Sequence, residues 1–286
     1  LCDGCREDAG EPGSERCGLR RKGVTYRAEP QLDFIFRSFN MDDELVGGYT
    51  EDKIALRRAI ALAVDLNEIN DSFYAGLCTV YDGPIPPGLD GHPEGHLVDG
   101  AYRGPNLELA REYLAKAGYP NGEGLPPIRF ATSRSDLNAQ QTAMMKRQLA
   151  EVGIRLEETL LDFPDLISQV NRREVPFFGF AWGSDYPDAE NNLALFYSPN
   201  ASPGSNHSNY NRPEFDEMYE QARLMEPSPE RTAMYEAMRD MILSDVPYVG
   251  SLARNRYFMV NTHMKNAKPT QRHWGWFKYL DTEQTR

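Results

Sequence analysis

The stretch Phe177–Asp188, FFGFAWGSDYPD, decides how the rest of the chain is interpreted. Its first half is apolar and rich in aromatic residues, which predicts a buried strand. A turn is favoured at Gly183 and Ser184, and Asp185 follows it directly. In α/β sheets, ligands bind beyond the carboxyl ends of the strands. The stretch therefore predicts a strand that carries a carboxylate and aromatic rings to a binding edge.

The residues before this stretch alternate between strand and helix patterns. Three short apolar segments predict strands, and two segments with helical spacing lie between them, so the predicted order is strand 127–132, helix 138–152, strand 154–160, helix 164–172 and strand 176–182. Such alternation indicates parallel strands joined by right-handed helical crossovers. The sequence therefore predicts an α/β fold with a parallel sheet in this region.

The flanking regions predict further elements. Thr50 is expected to cap a helix, and Asp65 with Glu68 three residues later has the spacing of a capping box. Arg57 and Arg58 interrupt the apolar face of the first helix, so we expect them on its solvated side. Strands are predicted at 32–39, 248–252 and 257–260, and helices from Asn106, Pro213 and Ser228.

Composition excludes several classes of partner. The 286 residues carry a net charge of −12, whereas nucleic-acid binding requires clustered Lys and Arg. No window approaches the roughly 18 apolar residues of a membrane span. The acidic balance is compatible with an amine-bearing ligand, although solubility explains it as well. A signal peptide has a charged segment followed by an apolar one. The residues from Leu1 onward do not show this pattern, so no signal sequence is visible.

The cysteine and histidine residues do not form a recognisable metal motif. Cys2, Cys5 and Cys17 lack a fourth ligand at suitable spacing, which favours a disulfide or free thiols over zinc. Residues 1–23 have few apolar side chains and are expected to pack poorly. His92 and His96 are separated by Pro93 and Gly95, so helical spacing is lost and a surface loop is expected. We predict no metal and no cofactor.

Seven stretches together resemble a known family, and they occur in its order and spacing. They are Leu56–Asp65, Gly83–Pro86, Ala110–Tyr119, Leu149–Arg155, Trp182–Asp188 (similar to W-x-x-D-Y-x-D-P), Asn209–Asp216 (similar to N-Y-x-N-x-x-F-D) and Arg231–Pro247. The family is that of the solute-binding proteins of peptide ABC importers, the oligopeptide and dipeptide type, or solute-binding family 5. The resemblance covers residues 24–260, and Ala189 departs from it because the family has proline there.

The resemblance implies an α/β lobe of the type II periplasmic-binding-protein kind, with a mixed sheet, flanking helices and an incomplete second lobe. On this basis residues 1–23 are a poorly structured segment and 24–39 a hinge or remnant of the amino-terminal lobe. The ligand-binding lobe is 40–246, and 247–286 returns towards the other lobe. Family members are longer, so the chain is expected to be a fragment.

The function implied is capture of a short peptide or similar small solute in an interlobe cleft and its delivery to an ABC permease in the membrane. The protein is expected to be a monomer, periplasmic or membrane-anchored outside the cell, with no nucleic-acid partner. The solute stays open, since the superfamily also includes members for nickel, opines and oligosaccharides. The alternative is an interaction or receptor lobe with no ligand of its own.

By resemblance, Asp185 pairs with the α-amino group of the ligand. Trp182 offers a flat apolar wall, and Tyr186 adds a hydroxyl. Gly183 is also placed in the ligand site. The polar loop that follows adds two candidate hydrogen-bonding side chains, Asn206 and Asn209. The alternatives are that Trp182 is a core residue, that Asp185 caps the short helix after Pro187, and that the loop residues are structural. Trp274 and Trp276 could line the hinge or cover a strand, and packing is favoured.

Catalysis is not expected. Asp185 and Asp188 lie three residues apart and could form an acid–base pair, but nothing beyond their proximity supports this. The sequence contains no G-x-S-x-G, no P-loop, no G-x-G-x-x-G after a strand and no H-E-x-x-H.

Overall fold

A computed structural model describes residues 23–93, 105–268 and 275–282. Cys2, Cys5, Cys17, His96 and Trp274 lie outside the described residues, and so do the predictions made for them and for the segment before Gly23. Among the helices described, none combines the length and the apolar character that a bilayer crossing requires.

The described elements alternate between strands and helices in the middle of the chain. The strands are β1 (Val24–Pro30), β2 (Asp33–Phe39), β3 (Cys78–Val80), β4 (Ile128–Ser133), β5 (Leu156–Leu161), β6 (Phe177–Gly183), β7 (Tyr248–Asn261), β8 (Met264–Lys265) and β9 (Asp281–Thr282). The α-helices are α1 (Glu51–Ala63), α2 (Leu66–Tyr74), α3 (Leu107–Lys116), α4 (Asp136–Ala150), α5 (Phe163–Asn171), α6 (Glu190–Leu193), α7 (Pro213–Ala222) and α8 (Pro229–Asp245).

The chain divides into two compact units. The smaller unit comprises Leu1–Leu32 and Arg254–Arg286, and the larger comprises Asp33–Ala253. These borders differ from those of the predicted segments because β2 is hydrogen-bonded to β6 inside the larger unit, from Asp33 opposite Gly183 to Phe39 opposite Phe177. The assignment of segments to two lobes stays a prediction.

In the smaller unit, β1 pairs antiparallel with the second part of β7, from Val24 opposite Asn261 to Pro30 opposite Asn255. The sequence predicted two separate strands, 248–252 and 257–260, and this was wrong: β7 is one strand. The polar residues between the two predicted strands continue the strand because backbone pairing with β1 does not depend on apolar side chains.

The larger unit contains a mixed sheet in the order β3-β7-β2-β6-β4-β5. β4 runs parallel to both β5 and β6, whereas β2 is antiparallel to β6 and to β7. The predicted alternation from β4 to β6 is therefore confirmed, and the antiparallel β2 makes the sheet mixed.

Neighbouring residues of β6 supply the cores on the two faces of this sheet. Phe177 is buried in the main core with residues of α1, α2, α3 and α4, while Phe178 is buried in a second core with Leu166 and Val170 of α5. Successive side chains of a strand point to opposite faces, so an uninterrupted apolar run is what a strand covered on both faces requires.

The helix starts follow the sequence signals, with one correction on the first helix. Asp65 accepts hydrogen bonds from the N–H groups of Asn67 and Glu68, as predicted for a cap. Thr50 occupies the cap position of α1 without a side-chain hydrogen bond. The prediction that Arg57 is solvated was wrong: Arg57 is 0% exposed.

Arg57 is buried because it closes the carboxyl end of another helix. Its guanidinium donates to the carbonyl oxygens of Val46 (2.7 Å), Asp245 (2.7 Å) and Val246 (3.0 Å). The last two lie at the carboxyl end of α8, where carbonyls lack partners within the helix and favour a positive charge.

Candidate functional site

The carboxyl ends of β4, β5 and β6 lie at one edge of the mixed sheet, because these three strands are parallel neighbours. Gly183 is the last residue of β6 and pairs with Asp33. The chain therefore turns after Gly183 and not at Gly183. The segment Ser184–Asp188, which we call the rim, follows at this edge and precedes α6.

Trp182 is half-buried at the end of β6 and is fixed by one hydrogen bond. Its Nε1 donates to Oδ1 of Asn191 (2.9 Å), and the same oxygen accepts from the backbone N–H of Asp185 (3.2 Å). Asn191, itself buried, thus joins the end of the strand to the rim. Trp182 is a partly exposed wall with its polar atom already satisfied.

Asp185 is exposed, and its carboxylate makes no hydrogen bond or ion pair with any residue that the structure describes. The alternative that it caps the next helix was wrong. Ala189 occupies the cap position of α6, and it is Asp188 that accepts from the first helical N–H group, of Glu190 (3.0 Å). The carboxylate of Asp185 is therefore free for a ligand.

Asp188 has the opposite character, since its two oxygens are engaged by α8. Oδ2 accepts from Nη1 of Arg231 (2.7 Å) and Oδ1 from the hydroxyl of Tyr235 (2.9 Å). Burial alone would raise the pKa of Asp188, but the hydrogen bonds from Glu190 N–H, Tyr235 and Arg231 outweigh it and hold that pKa below its usual range. Asp188 ties the rim to the body of the larger unit and is not a second free carboxylate.

Tyr186 projects from the rim and is 46% exposed. Its hydroxyl donates to Oε2 of Glu190, whose other oxygen accepts from the hydroxyl of Tyr219 on α7. Burial, together with the carboxylate of Glu190, raises the pKa of Tyr186. The Tyr186 side chain is therefore partly open to solvent while its hydroxyl is held by Glu190.

Asn206 and Asn209, the other predicted site residues, have structural roles. Asn206 is 0% exposed; its amide donates to the carbonyls of Tyr197 and Tyr210 and accepts from Ser208. Asn209 accepts from the N–H of Ser202 and donates to Asn40. Asn206 bonds within its own region of the chain and Asn209 also reaches Asn40 after β2, so both amides serve the protein's own structure and not the rim.

Exposed apolar side chains collect at the same edge. Of the large hydrophobic residues described in the larger unit, four are exposed, and three of them follow the ends of β4, β5 and β6: Leu137, Phe163 and Tyr186. Phe163 is 59% exposed, and its ring lies 6.5 Å from that of Phe180. Exposed apolar groups of this kind mark contact surfaces when they are contiguous.

The turns beside the rim add a pair of opposite charges. Nε of Arg134, after β4, lies 3.2 Å from Oδ1 of Asp162, after β5, and both side chains are largely exposed. These two charges compensate one another. Asp185, in contrast, has no such ion pair among the described residues.

The described residues contain no grouping of three His, Cys, Asp or Glu side chains that could hold a metal ion. His92 instead places Nδ1 2.8 Å from the carbonyl oxygen of Ile85. Trp276 lies in the smaller unit, half-buried, with its ring 5.9 Å from that of Phe258.

The sequence did not identify the residues that hold the rim. Nothing in the sequence singles out Asn191, and Arg231 and Tyr235 lie 43 and 47 residues after Asp188. The spacing of Arg231 and Tyr235, one turn apart on α8, puts both on the same helix face. That spacing was the available signal, but it does not reveal which carboxylate they meet.

Comparison with known proteins shows which family this chain resembles. A family model described as bacterial extracellular solute-binding proteins, family 5 Middle, matches residues 13–204. Among curated proteins, the chain is 26% identical over 200 residues to heme-binding protein A of Haemophilus influenzae, covering 69% of this chain and 36% of that protein. It is 25% identical over 257 residues to the glutathione-binding protein GsiB of Escherichia coli K12, covering 86% of this chain and 47% of that protein.

Solved structures show the fold. The periplasmic binding protein DppA of Helicobacter pylori, in complex with the peptide STSA, superposes with a TM-score of 0.73 at 21% identity, covering 92% of this chain and 49% of that one. The fold is thus the mixed α/β fold of type II periplasmic binding proteins, as predicted. The chain spans about half the length of that structure and less than half of the two curated relatives.

Proposed function

Because the chain belongs to the bacterial extracellular solute-binding proteins of family 5, we propose that it binds a short peptide or another small amine-bearing solute at the rim and delivers it to an ABC permease. The protein acts outside the cytoplasm, in the periplasm or anchored at the outer side of a membrane. It binds its solute as a monomer and does not transform it.

The observation that carries this proposal is the difference between the three carboxylates in and beside the rim. Asp188 and Glu190 are engaged by groups of the protein itself, whereas the carboxylate of Asp185 is exposed and without a partner among the described residues. An ammonium group that meets it forms charge-assisted hydrogen bonds. Asp185 is accordingly the anchor for the amine of the ligand.

The apolar surroundings define the rest of the ligand. Trp182 and Tyr186 flank Asp185 along the chain, and Phe163 and Leu137 are exposed at the same edge. A ligand with an amine and an apolar group would pair its charge with Asp185 and remove exposed apolar surface from water, about 25 cal/mol per Å² buried. Peptides with an apolar residue near the free amino terminus have this chemistry.

The relatives support capture of a small solute but do not select one. Heme-binding protein A and GsiB are named for different ligands, at 26% and 25% identity to this chain. The peptide assignment therefore depends on Asp185 and its apolar neighbours.

The test is isothermal titration calorimetry on the full-length protein with a panel of tripeptides that have Phe or Leu at the first position. We expect Asp185→Ala to weaken binding at least tenfold. Loss of one partner of a charge pair that the ligand buries costs on the order of 2–5 kcal/mol, and about 1.4 kcal/mol corresponds to tenfold. N-acetylation of the same peptides should have a similar effect on the unaltered protein.

The matched control is Glu217→Ala, which removes an exposed carboxylate of α7 away from the rim. Equal affinities of Asp185→Ala and the unaltered protein would remove Asp185 from the site. If no tripeptide of the panel binds at millimolar concentration, the peptide assignment fails and the interaction-lobe alternative gains support.

A further inference from the structure

Arg37 lies in the middle of the mixed sheet of the larger unit, on β2. Its neighbours across the sheet are Gly179 of β6 and Val249 of β7. The side chain is 6% exposed. A guanidinium keeps its charge in proteins, and removal of an ion from water costs several kcal/mol unless partners compensate it.

The other buried arginines have such partners. Four arginines are buried among the described residues, namely Arg37, Arg57, Arg231 and Arg239. Arg57 donates to three carbonyls. Arg231 pairs with a carboxylate and donates to the carbonyl of Ala222, and Arg239 pairs with a carboxylate and donates to the carbonyl of Gly91. Arg37 has neither an ion pair nor a carbonyl acceptor among the residues that the structure describes.

Arg37 makes one long hydrogen bond, and one of its guanidinium nitrogens makes no hydrogen bond. Nη2 donates to Oε1 of Gln141 at 3.4 Å. Nη1 is inaccessible to solvent and has no acceptor within the described parts of the chain. Burial lowers the pKa of Arg37, and Tyr74 opposes that shift, with no carboxylate contributing.

The neighbouring groups add donors rather than acceptors. Gln141 uses its oxygen for Arg37 and donates through Nε2 to the hydroxyl oxygen of Tyr74 (3.1 Å). The hydroxyl hydrogen of Tyr74 consequently points elsewhere, and none of the described residues accepts it. Arg37 and Tyr74 thus present two unmatched donors and one positive charge, which is the complement of an anion.

Position 250, next to the guanidinium, carries no side chain. Gly250 has φ +85°, and a Cβ at this position would lie 3.5 Å from Nη1 of Arg37 and 3.0 Å from Cδ2 of Leu66. A side chain here would therefore occupy the space next to Nη1.

We propose that a small monovalent anion, either chloride or a carboxylate of the size of formate, binds inside the larger unit between Nη1 of Arg37 and the hydroxyl group of Tyr74. The anion completes the hydrogen bonds of both donors and neutralises the buried charge. This site is separate from the rim and does not depend on the solute proposed above.

The experiment titrates sodium chloride and sodium formate into the 286-residue protein at constant ionic strength, with the bulkier methanesulfonate as the balancing anion. Thermal unfolding midpoints and the ³⁵Cl NMR line width are measured. An anion that binds only the folded state should raise the midpoint by about 4 °C or more at concentrations well above its Kd. Bound chloride should broaden the ³⁵Cl signal.

Variants separate this site from general salt effects. Arg37→Met should lose both responses, while Arg129→Met, which removes an exposed arginine of β4, should keep them. Tyr74→Phe should weaken chloride binding at least fivefold, so the proposal stays testable if Arg37→Met does not fold.

The two anion sources give different results. If formate does not reverse the line broadening of chloride, the site binds halides. If only formate shifts the unfolding midpoint, the site binds carboxylates. If neither anion changes the midpoint or the line width of the unaltered protein, or if Tyr74→Phe responds like the unaltered protein, the proposal is wrong and water solvates Arg37.

Discussion

Substitution of Asp188 by alanine tests whether the rim is held by α8. The change removes the acceptor for Arg231, for Tyr235 and for the N–H of Glu190. It leaves a guanidinium whose side chain is 10% exposed, with one remaining acceptor, the carbonyl of Ala222. The structure therefore predicts a large loss of stability for one surface-proximal carboxylate.

The magnitude follows from the three lost hydrogen bonds. Bonds to a charged group contribute about 1.5–3 kcal/mol each when they are shielded from water. The Asp188 side chain is 28% exposed, so solvent screening reduces this contribution. We expect Asp188→Ala to lower the free energy of unfolding by about 2–4 kcal/mol.

The assay is urea unfolding followed by far-UV circular dichroism and tryptophan fluorescence, with coincident transitions required before a free energy is derived. A double-mutant cycle with Tyr235→Phe should give a coupling energy of about 1 kcal/mol. Asp165→Ala is the control, since Asp165 is an exposed carboxylate of α5. A loss below about 0.5 kcal/mol, the range of ordinary surface substitutions, would refute the reasoning, as would absence of coupling to Tyr235.

Two further predictions concern a histidine and a helix cap. Burial lowers the pKa of His207 from 6.5, so the folded state binds fewer protons than the unfolded state and stability is lost as pH falls below 6.5. His207→Gln should flatten the decline of the urea midpoint between about pH 7 and about pH 5, and an unchanged slope would contradict this. Asp65→Ala removes the acceptor for Asn67 and Glu68 and should lower the free energy of unfolding by about 1 kcal/mol in the same assay, whereas no loss would show that α2 is not stabilised by its cap.

The order of elements from β4 to β6 was predictable because it depends on local patterns. Apolar runs of strand length alternate with helical spacings, and the parallel arrangement follows from short right-handed connections. Asp65 was predictable for the same reason, since its partners lie two and three residues away.

Features that depend on distant partners were not predictable. Arg57 and Arg58 are adjacent and chemically identical, but successive helix positions point about 100° apart. Arg57 is buried against α8, whereas Arg58 is not fully buried. This difference is decided by the position of α8. The continuity of β7 similarly depends on β1, more than 220 residues earlier in the chain.

At the candidate site, the sequence located the edge and the carboxylate but not how each polar group is used. Asp185 and Asp188 look equivalent in sequence, and the structure distinguishes them by the presence of Arg231 and Tyr235 beside one of them. Asn206 and Asn209 looked like ligand-binding amides because hydrogen-bonding capacity is visible in a sequence, whereas its use by the surrounding loop is not.

The contact between Arg57 and the end of α8 has a consequence for synthesis of the chain on the ribosome. The acceptors of Arg57 are separated from it by 188 and 189 residues. At roughly 5–20 residues per second, α1 exists for on the order of 10–40 seconds before those carbonyls are made. During that interval Val46 supplies only one of its three carbonyl acceptors. The guanidinium must therefore stay partly hydrated, because burial of an incompletely paired charge is too costly. The early helices therefore cannot complete their shared core in the order in which they are synthesised. The main core of the larger unit is completed only after α8 has left the ribosome.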